Sequence, residues 1–145
     1  MTTALGTEQW AVIAVIDPAN NGAGETFSTE WDMSLWSRVQ AVFQTGSMAG
    51  TSTVDFKLQD SATSGGALAD ITGKAITQLT AAGTDDDKQV VVNLRFDELN
   101  EDGRYCMGLL TVANAASNSS AVILGLPRYY PASDNDASTV DEIVN

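Results

Sequence analysis

Residues 88–96, with the sequence KQVVVNLRF, constrain the fold of this chain more than any other segment. Apolar side chains recur there at every second position, at Val90, Val92, Leu94 and Phe96. A period of two is that of a β-strand with one buried face, whereas an amphipathic helix needs apolar residues three and four apart. The segment therefore predicts a central strand that buries the face ending in Phe96, with Val91 tolerated on the opposite face.

Other segments have the same character. Strand patterns occupy residues 10–16, 25–33, 35–44, 54–59, 105–112 and 121–126, and residues 67–79 fit a pair of short edge strands. For residues 75–82 a short helix is the alternative. Turns rich in Gly, Ser, Asn and Asp separate these segments, among them Asp102-Gly103. The pattern predicts an all-β fold, a single antiparallel β-sandwich of about eight strands that is jelly-roll-like, with an immunoglobulin-like topology as the alternative.

The chain has 145 residues, which fits one domain with a full core. We expect an extended N-terminal arm at residues 1–9, a β-sandwich domain at residues 10–131 and an acidic C-terminal tail at residues 132–145. The tail is distinguished by small and acidic residues that include Asp134, Asp136 and Asp141.

The charge balance excludes some partners. The chain has 19 acidic and 7 basic residues and a formal net charge of −12. Phosphate backbones and anionic lipid surfaces would repel it, so we expect no nucleic-acid and no membrane partner. A basic protein surface is a better partner, and the alternative is that the charge only maintains solubility.

The sequence also argues against catalysis and cofactors. It contains no histidine, which removes the commonest general base and metal ligand. Cys106 is the single cysteine, and its apolar surroundings predict a buried small hydrophobe. The acidic runs 85–87 and 134–136 lack the spacing of a calcium loop. We therefore expect no enzymatic activity, no cofactor and no metal site, and we expect no export signal.

Three groups of residues are candidates for protein contacts. In the segment 35–44, Trp36 and Arg38 are predicted to share the exposed face of a strand, although a tryptophan covered by a loop is an equal alternative. Near the C-terminus, prolines bracket a cluster of residue types that anchor interfaces, namely Arg128, Tyr129 and Tyr130. One of the two tyrosines is expected to close the core instead. The N-terminal candidates are Thr2, Thr3, Leu5 and Glu8.

Several segments resemble a known family, the capsid decoration or cement proteins of tailed bacteriophages. The similar parts are residues 54–61 with the following Gly-rich loop, 69–79, 89–99, Gly125, Arg128-Tyr129 and 131–133. They span roughly residues 25–133 in the family's order. These are strand and turn patterns without a catalytic signature, and no binding residue is carried over from them.

The resemblance implies a non-enzymatic β-sandwich on the capsid exterior of the virion, made in the host cytoplasm. Its partner would be the major capsid protein, whose neighbouring subunits it would staple, and a position on a threefold axis would make it a homotrimer. Two alternatives remain open at this point. They are a carbohydrate-binding β-sandwich module, recognisable by aromatic side chains aligned on a sheet face, and a small hydrolase built on carboxylates.

Overall fold

A computed structural model describes residues 3–129, 132 and 136–144 of the chain. Ten strands make up the described fold: β1 Ala11–Asn21, β2 Gly24–Phe27, β3 Trp31–Asp32, β4 Trp36–Met48, β5 Thr53–Ser61, β6 Ala69–Ala75, β7 Leu79–Thr80, β8 Gln89–Arg95, β9 Tyr105–Ala113 and β10 Ser117–Pro127. Its helical parts are a single α-turn, α1 Gly6–Gln9, and three 3-10 turns, Met33–Leu35, Ala81–Gly83 and Phe96–Glu98. None of these helical segments has the length and apolar content needed to cross a membrane.

The strands form two antiparallel sheets. One has the order β1-β10-β4-β8; the other has the order β2-β9-β5-β6, with β3 paired to β9 and β7 paired to β5. The pairs β2/β3 and β6/β7 each continue one interrupted strand, which leaves eight strands. The first then pairs with the eighth, the second with the seventh, the third with the sixth and the fourth with the fifth. A long hairpin rolled into two sheets has this pairing, so the predicted antiparallel sandwich is confirmed and its topology is that of a jelly roll.

The core lies between the two sheets. The rings of Phe43 on β4 and Phe56 on β5 stack across it, with centroids 5.1 Å apart. Cys106 is fully buried, as predicted, and burial raises the pKa of its thiol to about 12. The segment 88–96 forms β8 as expected, with Val92 and Leu94 buried and Val91 50% exposed on the other face.

Two strands are longer than predicted, because they continue through turn-forming residues that were expected to end them. β1 continues past Asp17-Pro18 to Asn21, since a bulge between Ile16 and Ala19 accommodates the proline. β6 is one strand from Ala69 to Ala75, not the first half of a hairpin. Gly73 has φ +74° there, a conformation that glycine adopts without strain and that keeps the strand in its sheet.

The prediction that Trp36 lies on the exposed face beside Arg38 is wrong. Arg38 pairs with Leu126 and Trp36 pairs with Pro127, so the intervening Ser37 is an extra residue in β4. Such a bulge reverses the side on which the preceding residue points. Trp36 therefore enters the core and is 4% exposed, whereas Arg38 is exposed as predicted.

Phe96 also departs from the predicted pattern. β8 ends at Arg95, and the next residues form the 3-10 turn Phe96–Glu98. The period of two stops where the strand stops, so the prediction that Phe96 shares the buried face is wrong, and its side chain is 46% exposed.

The ends of the chain contact the same sandwich. Part of the predicted arm forms the helical turn α1, which has no buried residue. In the predicted tail, Ala132 is fully buried, the Asp136 carboxylate accepts a hydrogen bond from the Val12 amide at 2.7 Å, and the Ala137 amide donates to the Val12 carbonyl at 2.7 Å. The described part of the tail thus contacts the outer edge of β1. The predicted domain boundaries stay predictions.

The Trp36 ring lies against Gly125, and this contact gives a stability test. A Cβ at Gly125 would lie 2.5 and 2.7 Å from two ring atoms of Trp36. We expect Gly125→Ala to lower the free energy of unfolding by about 1–3 kcal/mol, because the overpacked core must shift. Gly22→Ala is the matched control, since no atom lies within 4 Å of its added Cβ. Urea unfolding of both variants measures the difference, and equal stability would contradict the contact.

Candidate interaction site

The strand register gathers most of the predicted contact residues at one end of the sandwich. Ala11, Gly125, Val39 and Leu94 form a row across β1, β10, β4 and β8. The N-terminal arm precedes this row, and Arg128 and Tyr129 follow it directly. We call this end of the molecule the arm end.

Four side chains, Leu35, Phe96, Arg128 and Tyr129, form a patch at the arm end, which we call the end patch. The Arg128 amide donates to the Leu35 carbonyl at 3.0 Å, and its Nε donates to the Trp36 carbonyl at 3.2 Å. The Arg128 guanidinium lies over the Phe96 ring, 4.3 Å from its centroid, in a cation–π contact. These contacts fix the orientation of Arg128 while leaving the outer surface of the patch open.

The end patch combines exposed apolar area with a charged planar group. Tyr129 is 77% exposed, Leu35 50% and Phe96 46%. Scattered apolar residues are normal on a protein surface, but contiguous ones indicate an interaction site. Tyr and Arg are enriched among the residues that dominate binding energies. A patch of this composition is suited to binding another protein.

A buried carboxylate holds the loop that carries Phe96. Asp60 on β5 is 2% exposed and accepts hydrogen bonds from the Asn100 amide at 2.8 Å and from Asn100 Nδ2 at 2.7 Å. Gly103 lies so close to Asp60 that a Cβ there would collide with the carboxylate. Because Asn100 is only a few residues beyond Phe96, this contact ties one side of the end patch to the rigid sheet.

An ion pair holds the other side of the site. Arg104 donates to both carboxylate oxygens of Asp32, at 2.9 and 2.6 Å, and Asp32 also accepts from the Ser34 amide at 2.9 Å. Hydrogen bonds from Arg104 hold the pKa of the Asp32 carboxyl well below its usual range. Asp32 thereby caps the 3-10 turn that ends in Leu35. A shallow cavity of about 380 Å³ separates Phe96 from Arg104.

The residues that the sequence predicted as contacts differ in their exposure. Arg38, Arg128 and Tyr129 are exposed at or near the arm end, so Tyr129 is not a residue that closes the core. Thr3, Leu5 and Glu8 are exposed in the arm, where the Glu8 carboxylate accepts from the Leu5 amide at 2.7 Å. Trp36 is buried and contributes only its carbonyl, as an acceptor for Arg128. Thr2 and Tyr130 lie outside the described residues.

Sequence reasoning missed Leu35 and Phe96. Both lie in 3-10 turns next to strands, and both were assigned to strand patterns. The residues after Phe96 could have indicated that it begins a helical turn, since acidic residues such as Asp97 and Glu98 favour the first turn of a helix. Glu98 caps this turn by accepting from the Arg95 amide at 2.8 Å.

The acidic segments show how the carboxylates are used. In the run 85–87, Asp85 accepts from the Thr80 amide at 2.9 Å and Asp86 from the Met48 amide at 2.6 Å. These bonds satisfy the backbone amides of the last residues of β4 and β7. Among the described residues, no group of three or more His, Cys, Asp and Glu side chains is arranged to hold a metal ion.

Comparisons with known proteins give weak similarity to solved structures alone. No protein-family model matches the sequence, and no curated protein matches it. Among solved structures, the chain is similar to one described as "Structure of infectious bursal disease virus Gx strain", with a TM-score of 0.35 and 10% identity over 86% of this chain. The chain spans about a third (33%) of the length of the chain it matches.

Removing the loop contact tests how the end patch is held. Asn100→Ala would leave an oxygen of the buried Asp60 without its donor, which we expect to cost about 1–3 kcal/mol of unfolding free energy. Asn93→Ala is the control, because its bond to Gln40, at 3.0 Å, is exposed, and we expect a change within about 0.5 kcal/mol. Denaturant unfolding checks both values. Equal losses in the two variants would contradict a supporting role for Asn100.

The Asp32–Arg104 pair predicts a pH dependence of stability. The folded-state pKa of Asp32 lies below the ordinary value of 3.8 for an aspartate. The pair therefore contributes stability above that pH, and the contribution declines as the pH falls toward the folded-state pKa. We expect Arg104→Ala to destabilise the protein at pH 7 and to differ less from the unmodified protein near pH 2. Urea unfolding at both pH values measures this, and a difference that grows on acidification would contradict it.

Proposed function

We propose that this protein is a capsid decoration protein of a tailed bacteriophage. It attaches to the capsid exterior, contacts neighbouring subunits of the major capsid protein and stabilises the shell without catalysing a reaction. It is made in the host cytoplasm and has neither a nucleic-acid nor a membrane partner. The sequence resemblance supports this proposal, and a jelly roll suits it because that fold is common in viral capsid domains.

The observation that carries the proposal is the concentration of contact residues at the arm end. The N-terminal arm, Arg38 and the end patch all lie at this end of the sandwich. A staple needs a rigid body and at least one surface that meets its partner, and the sheets supply the rigid body. Exposed Tyr129 and Phe96, with Arg128 held between β10 and the 3-10 turn, supply aromatic and guanidinium groups for that surface.

The charges favour a basic partner. Of the 7 basic residues, Lys57, Lys74, Arg95 and Arg104 form ion pairs with acids of the same chain. These pairs leave a large excess of acidic groups on the surface. Electrostatic complementarity steers association and selects partners, so an acidic decoration protein fits basic patches on a shell.

The proposed homotrimer now has less support. Self-association through an exposed Trp36 does not support it, because Trp36 is buried within its own chain. Local symmetry at the attachment position in a decorated particle tests the trimer directly.

The outer face of the β1-β10-β4-β8 sheet does not support the carbohydrate-binding alternative. That alternative requires aromatic side chains aligned on one sheet face. On the described part of the β1-β10-β4-β8 sheet, the outward positions hold aliphatic and polar residues instead. Likewise, no described arrangement of carboxylates favours the hydrolase.

Binding to shells tests the proposed function. Undecorated heads of the bacteriophage that encodes this chain are mixed with purified protein, and occupancy is measured by cosedimentation. We expect Arg128→Ala with Tyr129→Ala, or removal of residues 1–8, to weaken attachment by more than about tenfold, because such anchors each supply about 1–2 kcal/mol or more. Thr72→Ala, an exposed change on β6 of the other sheet, is the control.

The possible outcomes distinguish an error in the proposed contact surface from an error in the proposed function. If the altered proteins decorate shells like the control, the arm end is not the contact surface. If the unmodified protein does not bind these shells, the decoration function is wrong. Circular dichroism of each variant confirms that loss of binding does not reflect loss of the fold.

A further inference from the structure

The outer face of the β1-β10-β4-β8 sheet carries an apolar row that the capsid proposal does not use. Four valines lie opposite one another in register across all four strands: Val15, Val122, Val42 and Val91. We call them the valine row. Val91 is 50% exposed, and the other three are partly exposed between their strand neighbours. The next row adds Val12 and Leu124.

The outward positions of β4 and β8 on this face hold no acidic residue, although the chain has 19 of them; on β1, Asp17 is exposed beyond the valine row. Along the described outward positions of β4 and β8, the rows read Arg38–Arg95, Gln40–Asn93, Val42–Val91 and Gln44–Gln89. A surface that is only kept soluble by charge would carry carboxylates here as elsewhere. The absence of carboxylates around the valines indicates that this part of the face packs against another apolar surface.

The two ends of the face carry groups of opposite charge, with two arginines at one end and Asp87 at the other. Arg38 and Arg95 are directly opposite each other, a placement that destabilises a sheet unless an acid compensates it. Arg95 forms ion pairs with Asp97 at 3.4 Å and with Glu98 at 3.8 Å, whereas Arg38 has no ion pair within the described residues. At the other end, Asp87 lies beside Gly46, and its amide donates to the Gly46 carbonyl at 3.3 Å. Asp87 lines an open groove of about 550 Å³ with Gln44 and Gln89.

These charges are placed symmetrically about the valine row. Arg38 lies four residues before Val42 on β4, and Gly46, the neighbour of Asp87, lies four residues after it. Each charged end is therefore about 13 Å from the row at ~3.3 Å per residue. A twofold axis that runs along the valine row, between two stacked sheets, superposes the arginine end of one copy on the Asp87 end of the other.

We propose that the occupant of this face is a second copy of the chain, packed sheet to sheet about that twofold axis. Each valine of the row faces its counterpart, the strands of the two copies run antiparallel, and Arg38 and Arg95 of each copy enter the groove beside Asp87 of the other. Aligned packing of two sheets about 10 Å apart is a common arrangement, and a twofold interface must be self-complementary in this way.

The size of the face sets the strength of the dimer. Four strands at ~4.8 Å spacing and about seven residues along each strand give a footprint of roughly 400 Å². Stable complexes bury about 800 Å² per partner, so we expect a weak, reversible dimer. The dimer shares Arg38 with the arm end that is proposed to meet the shell, whereas the valine row belongs to the dimer alone. Either association can therefore fail without the other.

Sedimentation equilibrium of the full chain between about 10 μM and 1 mM tests the dimer. We expect a reversible monomer–dimer equilibrium. Val91→Asp should abolish it, because two carboxylates would face each other in an apolar contact. Thr72→Asp, on β6 of the opposite sheet, is the matched control and should leave the equilibrium unchanged. A monomer at 1 mM, a trimer, or equal effects of the two substitutions would overturn the proposal.

A charge exchange tests the antiparallel geometry. Arg38→Glu and Asp87→Lys should each weaken self-association several-fold, since like charges meet twice in each homodimer. An equimolar mixture should regain dimers, because both contacts then pair opposite charges. Asp87→Asn is a second variant, since asparagine tolerates the φ of +56° at this position, and it should weaken association less than Asp87→Lys. A mixture that stays monomeric while both proteins remain folded would overturn the twofold arrangement.

Discussion

The bulge at Ser37 is the local constraint on which both the core and the arm end depend. One extra residue in β4 turns Trp36 inward onto Gly125, and it leaves Arg38 on the outer face. The Trp36 carbonyl, freed from regular pairing, then accepts the hydrogen bond that orients Arg128. The Ser37 hydroxyl compensates the lost ladder bond by donating to the Leu126 carbonyl at 3.1 Å. A single irregularity thus couples the packing of the sandwich to the geometry of its candidate contact surface.

Several carboxylates in this protein have a structural role, because they accept hydrogen bonds from backbone amides. Asp60 accepts a hydrogen bond from the amide of the loop residue Asn100, and Asp85 and Asp86 accept from the amides of Thr80 and Met48, the last residues of β7 and β4. Asp136 does the same for the edge of β1. A jelly roll has many connections between its sheets, and each leaves backbone donors to satisfy. The acidic composition therefore reflects loop stabilisation as well as surface charge.

The sequence predicted the regular strands well because their burial alternates. β5, β8 and β9 match the predicted segments closely, since each has one face in the core. The bulges in β1 and β4 could not be predicted, because they depend on register with β10, a partner more than 70 residues away in the chain. The burial of Trp36 and the exposure of Phe96 both follow from such non-local pairing and strand ends. The cluster at Arg128 and Tyr129 was accessible from residue types and flanking prolines alone, whereas Leu35 joins it only through the fold.

The tail contact at Val12 has a consequence for the sheet edge. β1 is an edge strand, and an unpaired edge offers its amides and carbonyls to any extended chain that approaches it. Asp136 and Ala137 occupy the outward amide and carbonyl of Val12, so the protein blocks its own edge at this point. A segment from another protein can add a strand there only by displacing the tail. Asp136 and Ala137 therefore oppose polymerisation through β-strand addition, because their contacts with Val12 must break before a new strand can pair there.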